Sequence, residues 1–177
     1  MSTIEAQKTI PAGTYAADPA HSSLEFTAQH MDISTIRGSF LKFEASLEGG
    51  DQPRVSGTIE TATIDTRDET RDGHLKNADF FDVERFLTAS FSGTLVTPDK
   101  LVGELTLRGV TKPVEMTANV TGPAVDPWGN SRVGIDLEGT VNRHDFGVSW
   151  NLDLPNGGKL LEDEVTLIAS LSFVKQA

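Results

Sequence analysis

Apolar and polar residues alternate along most of this chain, with the period of two that marks a β-strand. Leu24, Phe26 and Ala28 fall on one face, and Glu25, Thr27 and Gln29 on the other. Leu41, Phe43, Ala45 and Leu47 interleave with Lys42, Glu44, Ser46 and Glu48. The same one-sidedness returns at Phe91 and Leu95, at Leu101, Gly103, Leu105 and Leu107, and at Val114, Met116, Ala118 and Val120. It returns again at Val133, Ile135, Leu137, Gly139 and Val141, and at Val165, Leu167, Ala169, Leu171 and Phe173. A shorter strand at about 13–18 is broken by Asp18-Pro19, and the run 54–65 is rich in Thr, Val and Ile, which suit a pleated surface. Gly49-Gly50-Asp51, Thr97-Pro98-Asp99-Lys100, Gly122-Pro123 and the stretch 126–130 supply turn chemistry between the runs. The pattern predicts eight or nine strands, mostly joined by short turns. No strand–helix–strand crossover stands out, so the sheet is expected to be antiparallel.

The alternation stops between Asp65 and Asp82, where charge becomes dense and two adjacent phenylalanines close the segment. One short helical insertion is expected near 67–82. The stretch 143–150 is less regular and suits a further helical turn, and 151–158 reads as a loop. Residues 1–12 carry no pattern and read as a loosely ordered N-terminal arm, leaving 13–177 as one all-β domain. One apolar face per strand fits a closed barrel or a sandwich. The last strand, 163–174, would reach roughly 40 Å at the usual rise per residue, which suits an elongated barrel with an apolar interior. Phe26, Phe43, Phe91 and Phe173 are inward candidates, and so are Ala28, Ala45, Gly103, Ala118, Gly139 and Ala169. Small residues on an inner face leave room for a cavity, although alternating small and large residues also fill a tapering barrel.

Composition narrows the function classes. A chain of 177 residues suits one domain with a real core. The net charge of −11 argues against nucleic acid as a partner and against durable anchoring on an anionic membrane. The absence of Cys removes disulfides and thiolate chemistry. The opening residues, MSTIEAQKTIPAG, lack the apolar core of a secretory signal, and the expected location is cytoplasmic.

A set of short motifs follows in order: Asp18-Pro19-Ala20-His21-Ser22, Arg37-Gly38-Ser39-Phe40, Ile64-Asp65-Thr66, the block from Arg71 to Asp82, the block from Gly103 to Val114, and Arg143-His144-Asp145-Phe146-Gly147. In this order and spacing they resemble the YceI-like family of polyisoprenoid-binding, lipocalin-like barrel proteins, over roughly residues 13–174. One departure is Leu87, where the family usually has Pro; this loosens a turn without changing the fold. Another is that the opening residues show no leader pattern, so the periplasmic role of some relatives is not expected to transfer.

The resemblance implies an elongated, eight-stranded antiparallel lipocalin-like β-barrel. It would hold one polyisoprenoid, isoprenoid quinone or similar long-chain amphipathic lipid, for transport, storage or sequestration, with no cofactor and no catalytic role. Each buried methylene contributes ~0.8 kcal/mol, so tail burial alone can hold such a ligand. The lining expected on this basis is Leu24, Phe26, Phe40, Phe43, Phe80, Phe81, Phe91, Leu105, Met116, Phe146 and Trp150. His21, Arg37 and Arg143 are the candidate donors to a polar head. The insertion then becomes the cover of a barrel end, with Leu75, Phe80 and Phe81 inward and its DTRDETRD half in water. An unpaired barrel edge would permit a homodimer.

Other readings compete at several of these positions. His21, His30, His74 and His144 show no metal-ligand spacing, and no metal site is expected. His21 with Asp18 and Ser22 has the composition of a catalytic triad, but all lie within one turn, so an Asx turn is the plainer reading. Arg37 suits either a ligand head or a carboxylate such as Asp65 or Asp145, and Arg143 with Asp145 suits a structural ion pair. The alternative function is a hydrolase-like or metal-dependent enzyme acting on a small hydrophobic substrate through barrel-mouth histidines. That reading needs a polar cluster within ~3 Å reach inside the cavity. A barrel filled by its own side chains is the third reading.

Overall fold

A computed structural model describes residues 9–177. Six strands precede the helix: β1 (Thr14–Ala17), β2 (Ser23–His30), β3 (Ser34–Phe40), β4 (Phe43–Glu48), β5 (Arg54–Glu60) and β6 (Ile64–Asp65). Helix α1 (Glu69–Lys76) follows, then β7 (Thr88–Thr97), β8 (Lys100–Leu107), β9 (Val110–Val125), β10 (Ser131–Asn142) and β11 (Leu161–Lys175). Every pairing between these strands is antiparallel. Eight strands close a ring in the order β1-β4-β5-β7-β8-β9-β10-β11, with β11 returning to β1. The expected eight-stranded antiparallel barrel with one short helix is therefore the observed architecture.

The ring splits at one place. Asp18-Pro19 breaks what would be one long edge along β11, because Pro lacks the N–H a ladder needs. Below the break, Tyr15–Ala17 pair with Phe173–Lys175 of β11 and β1 also pairs with β4. Above it, β2 pairs with the first half of β11 and carries the hairpin to β3, which ends on β6. The described chain thus holds eleven strands, against the eight or nine expected. The unforeseen strand is β3. Its inner face reads Ile36, Gly38, Phe40, so a glycine interrupts the apolar alternation. Its entry turn uses Met31 and Asp32, both at positive φ, rather than the Asn-Gly that usually advertises such a hairpin. Gly38 is required for packing, since a β-carbon there would overlap the Phe26 ring across the ladder. Leu41 follows β3 and is 66% exposed, which corrects its expected place on an inner face.

Residues 1–8 of the expected arm lie outside the described residues. Residues 9–12 are not loose: Ile10 is buried in the core and its carbonyl accepts a bond from Gly50 N, while the Pro11 carbonyl accepts one from the buried Tyr15 hydroxyl.

Along the barrel axis the interior has two regimes. Around the closed ring, Tyr15, Leu47, Leu101, Ile135 and Phe173 have no solvent exposure at all. Here Gly103 does not leave room. It pairs with Gly93, and a β-carbon on it would overlap the Ser92 carbonyl and lie 2.6 Å from the Gly93 Cα. Two bare backbones touch, letting the wall curve tightly over the packed side chains. Gly139 is likewise crowded, its missing β-carbon falling 3.1 Å from Met116 Cγ. The expectation that these glycines open a cavity is corrected; the room lies toward the other end.

Candidate ligand cavity

Toward the N-terminal end of β11 the barrel is hollow. The cavity measures about 560 Å³, within the ~300–1,000 Å³ typical of small-molecule sites. Its wall takes Leu24, Phe26 and Ala28 from β2, Ile36 and Phe40 from β3, and Ala45 from β4. Ile59, Ala89, Phe91, Leu105, Leu107 and Met116 continue it around the ring, and Leu137, Val141, Val165, Leu167 and Ala169 complete it. Val55 and Leu171 join the cavity to the filled end.

The segment between β6 and β7 covers this cavity. Asp68 caps α1, its carboxylate accepting from Arg71 N at 2.9 Å, and Glu69 and Asp72 add negative charge to the first turn. Asp72 reaches back to accept from Thr66 N at 2.8 Å, and the Arg71 Nε donates to Thr66 Oγ1 at 2.8 Å. These bonds tie the helix to the end of β6. They also correct the expectation that the DTRDETRD half lies wholly in water: Thr66 is buried, and Asp68, Thr70 and Arg71 border the cavity. The helix ends at Lys76, and residues 77–86 continue as successive turns in which Asn77, Leu75 and Lys76 carbonyls accept bonds from Asp82, Phe81 and Val83.

The two phenylalanines of this cover point to different partners. Phe81 packs with Phe40 and Phe26, at ring-centroid distances of 5.5 and 6.5 Å. Phe80 packs against Trp150 at 5.5 Å and His74 at 4.9 Å, and His74 meets Trp150 edge-on at 4.7 Å. The pair therefore straddles the barrel end, one ring gripping the β2–β3 hairpin and the other the stretch after β10 (offset aromatic pairs of this kind add ~0.5–1.5 kcal/mol each).

Of the residues expected to line a ligand, Leu24, Phe26, Phe40, Phe80, Phe81, Phe91, Leu105, Met116, Arg143, Phe146 and Trp150 border this one cavity. Phe43 does not; it is half-buried beside an outer groove with Ala16, Ala17 and Pro19, where the edge of β4 runs past the end of its pairing with β1. His21 does not either. It is exposed at the β1–β2 break, its Nδ1 2.8 Å from Asp18 Oδ2, while Asp18 Oδ1 accepts from Ala20 N. Ser22 Oγ accepts from Ser172 N, so the triad-like trio is a turn. Arg37 is exposed on β3, outside the cavity. Neither Asp65 nor Asp145 pairs with it among the described residues, and Asp65 instead accepts from Arg67 N.

Arg143 is different. A short helical turn at Arg143–Phe146, closed by Gly147 at positive φ, places it under the end of β10. It is only 6% exposed. Its Nε donates to the Glu162 carbonyl at 2.9 Å, and its Nη1 donates to the Val148 and Trp150 carbonyls at 2.9 and 2.8 Å. The expected pair with Asp145 does not form; the carboxylate in reach is Asp163, at 4.0 Å from Nη2.

The histidines do not converge. His74 Nε2 lies 3.0 Å from Asp79, His144 Nε2 lies 2.7 Å from Asp163, and His30 borders the cavity from the far rim. No grouping of His, Asp and Glu suited to a metal occurs among the described residues. Leu75 lines the cavity as expected of the cover, and several lining residues were not singled out in advance, including Ile36, Ile59, Leu107, Val141 and Leu161. For Leu107, Val141 and Leu167 the signal existed, since they continue the same alternating faces as residues deeper in the barrel.

The YceI-like domain model matches residues 15–173. UPF0312 protein SA2479 of Staphylococcus aureus is 36% identical over 164 residues, covering 90% of this chain and 96% of that protein. Among solved structures, Burkholderia cenocepacia BcnA superposes with a TM-score of 0.72 at 20% identity, over 88% of this chain and 98% of that one. A polyisoprenoid binding domain from Saccharophagus degradans, implicated in plant cell wall breakdown, gives 0.71 at 12% identity, over 94% and 100%. At such identities the two structures share this fold and carry no more than that. The profile match, by contrast, runs from Tyr15 in the first strand of the ring to Phe173 in the last, and on it the chain belongs to the YceI-like domain family.

Proposed function

We propose that this protein is a lipid-binding barrel that buries the hydrocarbon tail of a polyisoprenoid or comparable long-chain amphiphile. The observation that carries this reading is the cavity: about 560 Å³, walled by aliphatic and aromatic side chains, floored by a solid core and covered by aromatic residues. Family membership supports it, as does the fold shared with a protein described as a polyisoprenoid binding domain. Magnitudes favour long tails. About ten buried methylenes give ~8 kcal/mol, which only matches the ~4–15 kcal/mol cost of association, so short chains bind poorly and long ones well. Carriage, storage or sequestration of such a lipid is the role that follows, with isoprenoid quinones among the candidate ligands.

Native mass spectrometry of the purified protein, followed by solvent extraction, is expected to release a bound lipid. The delipidated protein is then titrated with prenyl and alkyl amphiphiles. Ala28→Phe, which intrudes on the cavity wall, is expected to weaken binding by about tenfold or more at little cost in Tm. A protein that carries no lipid and takes up none of these ligands overturns the proposal.

A further inference from the structure

Three large apolar side chains stand in solvent beside the hollow end. Ile33 is 82% exposed, Leu152 54% and Met31 39%. Single exposed apolar residues are ordinary, but these three sit on adjoining stretches of backbone. Met31 N donates to the Leu160 carbonyl at 2.8 Å, and Leu160 N donates to the Leu152 carbonyl at 2.9 Å. Ile33 N donates to the His30 carbonyl within the same hairpin tip as Met31. His30, Leu160 and Leu161 border the cavity, so the exposed patch carries the apolar lining outward. The patch also shares its supports with the cover. Phe81 packs on Phe26 and Phe40 of the β2–β3 hairpin, which carries Met31 and Ile33. Phe80 packs on Trp150, just before Leu152. A ligand leaving past the cover emerges beside these tips.

Acids surround the patch. Asp32 lies between Met31 and Ile33, Asp153 follows Leu152 and pairs with Lys159, and Glu162, Asp163 and Glu164 are exposed at the start of β11. Whatever covers the patch is therefore apolar and carries no net negative charge. To serve the cavity it must also give up or accept a lipid. We propose that this rim is a docking surface for an electroneutral lipid bilayer, with Met31, Ile33 and Leu152 as the side chains that enter it. This rests on the reading of the cavity as a lipid site. Three side chains make a shallow and reversible hold, since stable anchoring takes a stronger or a second signal. Reversibility suits a protein that must leave with its cargo. The carboxylates set the choice of surface. They repel an anionic bilayer across roughly a Debye length, ~10 Å at 0.1 M salt, whereas a zwitterionic bilayer meets only the apolar tips.

The test floats the delipidated full chain with phosphatidylcholine vesicles and with vesicles of an equal mixture of phosphatidylcholine and phosphatidylglycerol. Binding to the first is expected, with binding to the mixture lower by about threefold or more at low salt. The difference is expected to close as salt is raised. Ile33→Ser combined with Leu152→Ser is expected to lower binding to phosphatidylcholine by about tenfold or more. Both side chains are exposed, so Tm and the affinity for farnesol in vesicle-free solution are expected to stay unchanged. Val125→Ser combined with Trp128→Ser removes two exposed apolar residues from the filled end and is expected to leave vesicle binding intact. No binding to phosphatidylcholine, equal loss in the filled-end variant, no loss in the rim variant, or a preference for the mixture overturns the docking assignment. So does sedimentation that shows a dimer in the parent and a monomer in the rim variant, because the rim is then covered by a second copy. Farnesol uptake without vesicle binding leaves the cavity reading standing. Absence of uptake of farnesol and of longer prenyl alcohols overturns the cavity reading itself, and the docking role with it.

Discussion

Where β1 joins β4 and β11, the barrel interior is Tyr15, Leu47, Leu101, Ile135 and Phe173, all without exposure. Where β2 and β3 peel away, the same kinds of residue, such as Leu24, Phe91, Leu107 and Leu167, are only partly covered and face a cavity. Both ends are apolar, so hydrophobicity does not explain the difference. Backbone geometry does. At the filled end β1 closes the ring between β4 and β11, and the Gly93–Gly103 contact draws its wall inward. At the hollow end the Asp18-Pro19 break diverts the chain into a hairpin, and a helix with its turns must bridge the wider opening. One end is built to be stable and the other to be occupied.

That division is open to attack by substitution. The largest effect is expected from Phe173→Ala at the filled end, where nothing can collapse into the void. Denaturant unfolding is expected to show a loss of ~3–5 kcal/mol. Ligand affinity per folded molecule is expected to change little. Gly103→Ala comes next. The added methyl meets the Ser92 carbonyl and the Gly93 backbone, which cannot swing aside as a side chain can. A loss of ~1–3 kcal/mol is expected in the same measurement, and a neutral result would mean that the glycine contact does not shape the wall.

At the hollow end the order of effects reverses. Phe81→Ser removes a half-buried ring from the cover and its contacts with Phe26 and Phe40. It is expected to cost under ~2 kcal/mol of stability while raising ligand off-rate by about tenfold. Phe80 is more buried, against Trp150 and His74, so Phe80→Ser is expected to cost more of both. Equal losses of stability and retention in Phe81→Ser would make the cover a plain core plug.

Much of this organisation was legible in the sequence, and the illegible part has physical reasons. The wall strands announced themselves because each keeps one apolar face, as in Val165, Leu167, Ala169, Leu171 and Phe173 of β11. The strand β3 hid because Gly38 interrupts its inner face to admit the Phe26 ring from the neighbouring strand. Alternation records which way a side chain points and not whether the opposite wall is near. Hence Gly103 and Ala28 looked alike, although one is pressed against backbone and the other borders the cavity. Charged residues were least legible. Arg37, Arg143 and His21 were equal candidates by type, and only burial and bonding separate them.

The smallest effect is expected from the filled end's charged clasp, and it separates stability from binding by pH. Arg132 donates from Nη1 to Asp18 Oδ2 at 2.9 Å and from Nε to Asp126 Oδ2 at 2.8 Å. The His21 hydrogen bond, then Arg132, lowers the Asp18 carboxyl from 3.8 to about 2. Arg132 first, then the Asn130 N–H, holds Asp126 well below the usual carboxylate range. Both groups are depressed in the folded state, so each binds protons more weakly there than in the unfolded chain. Their contribution is therefore fully present above pH ~4 and fades as the pH falls through the folded values. Asp18→Asn is expected to be less stable than the parent at neutral pH by a margin that stays constant down to about pH 5 and then narrows, closing near pH 2. Denaturant melts of the two proteins across that range measure the margin. A margin that persists at the acid limit would show that the substitution acts through packing rather than charge. Ligand affinity at neutral pH is expected to be the same in both proteins, because the clasp braces the end of the barrel that the ligand does not enter.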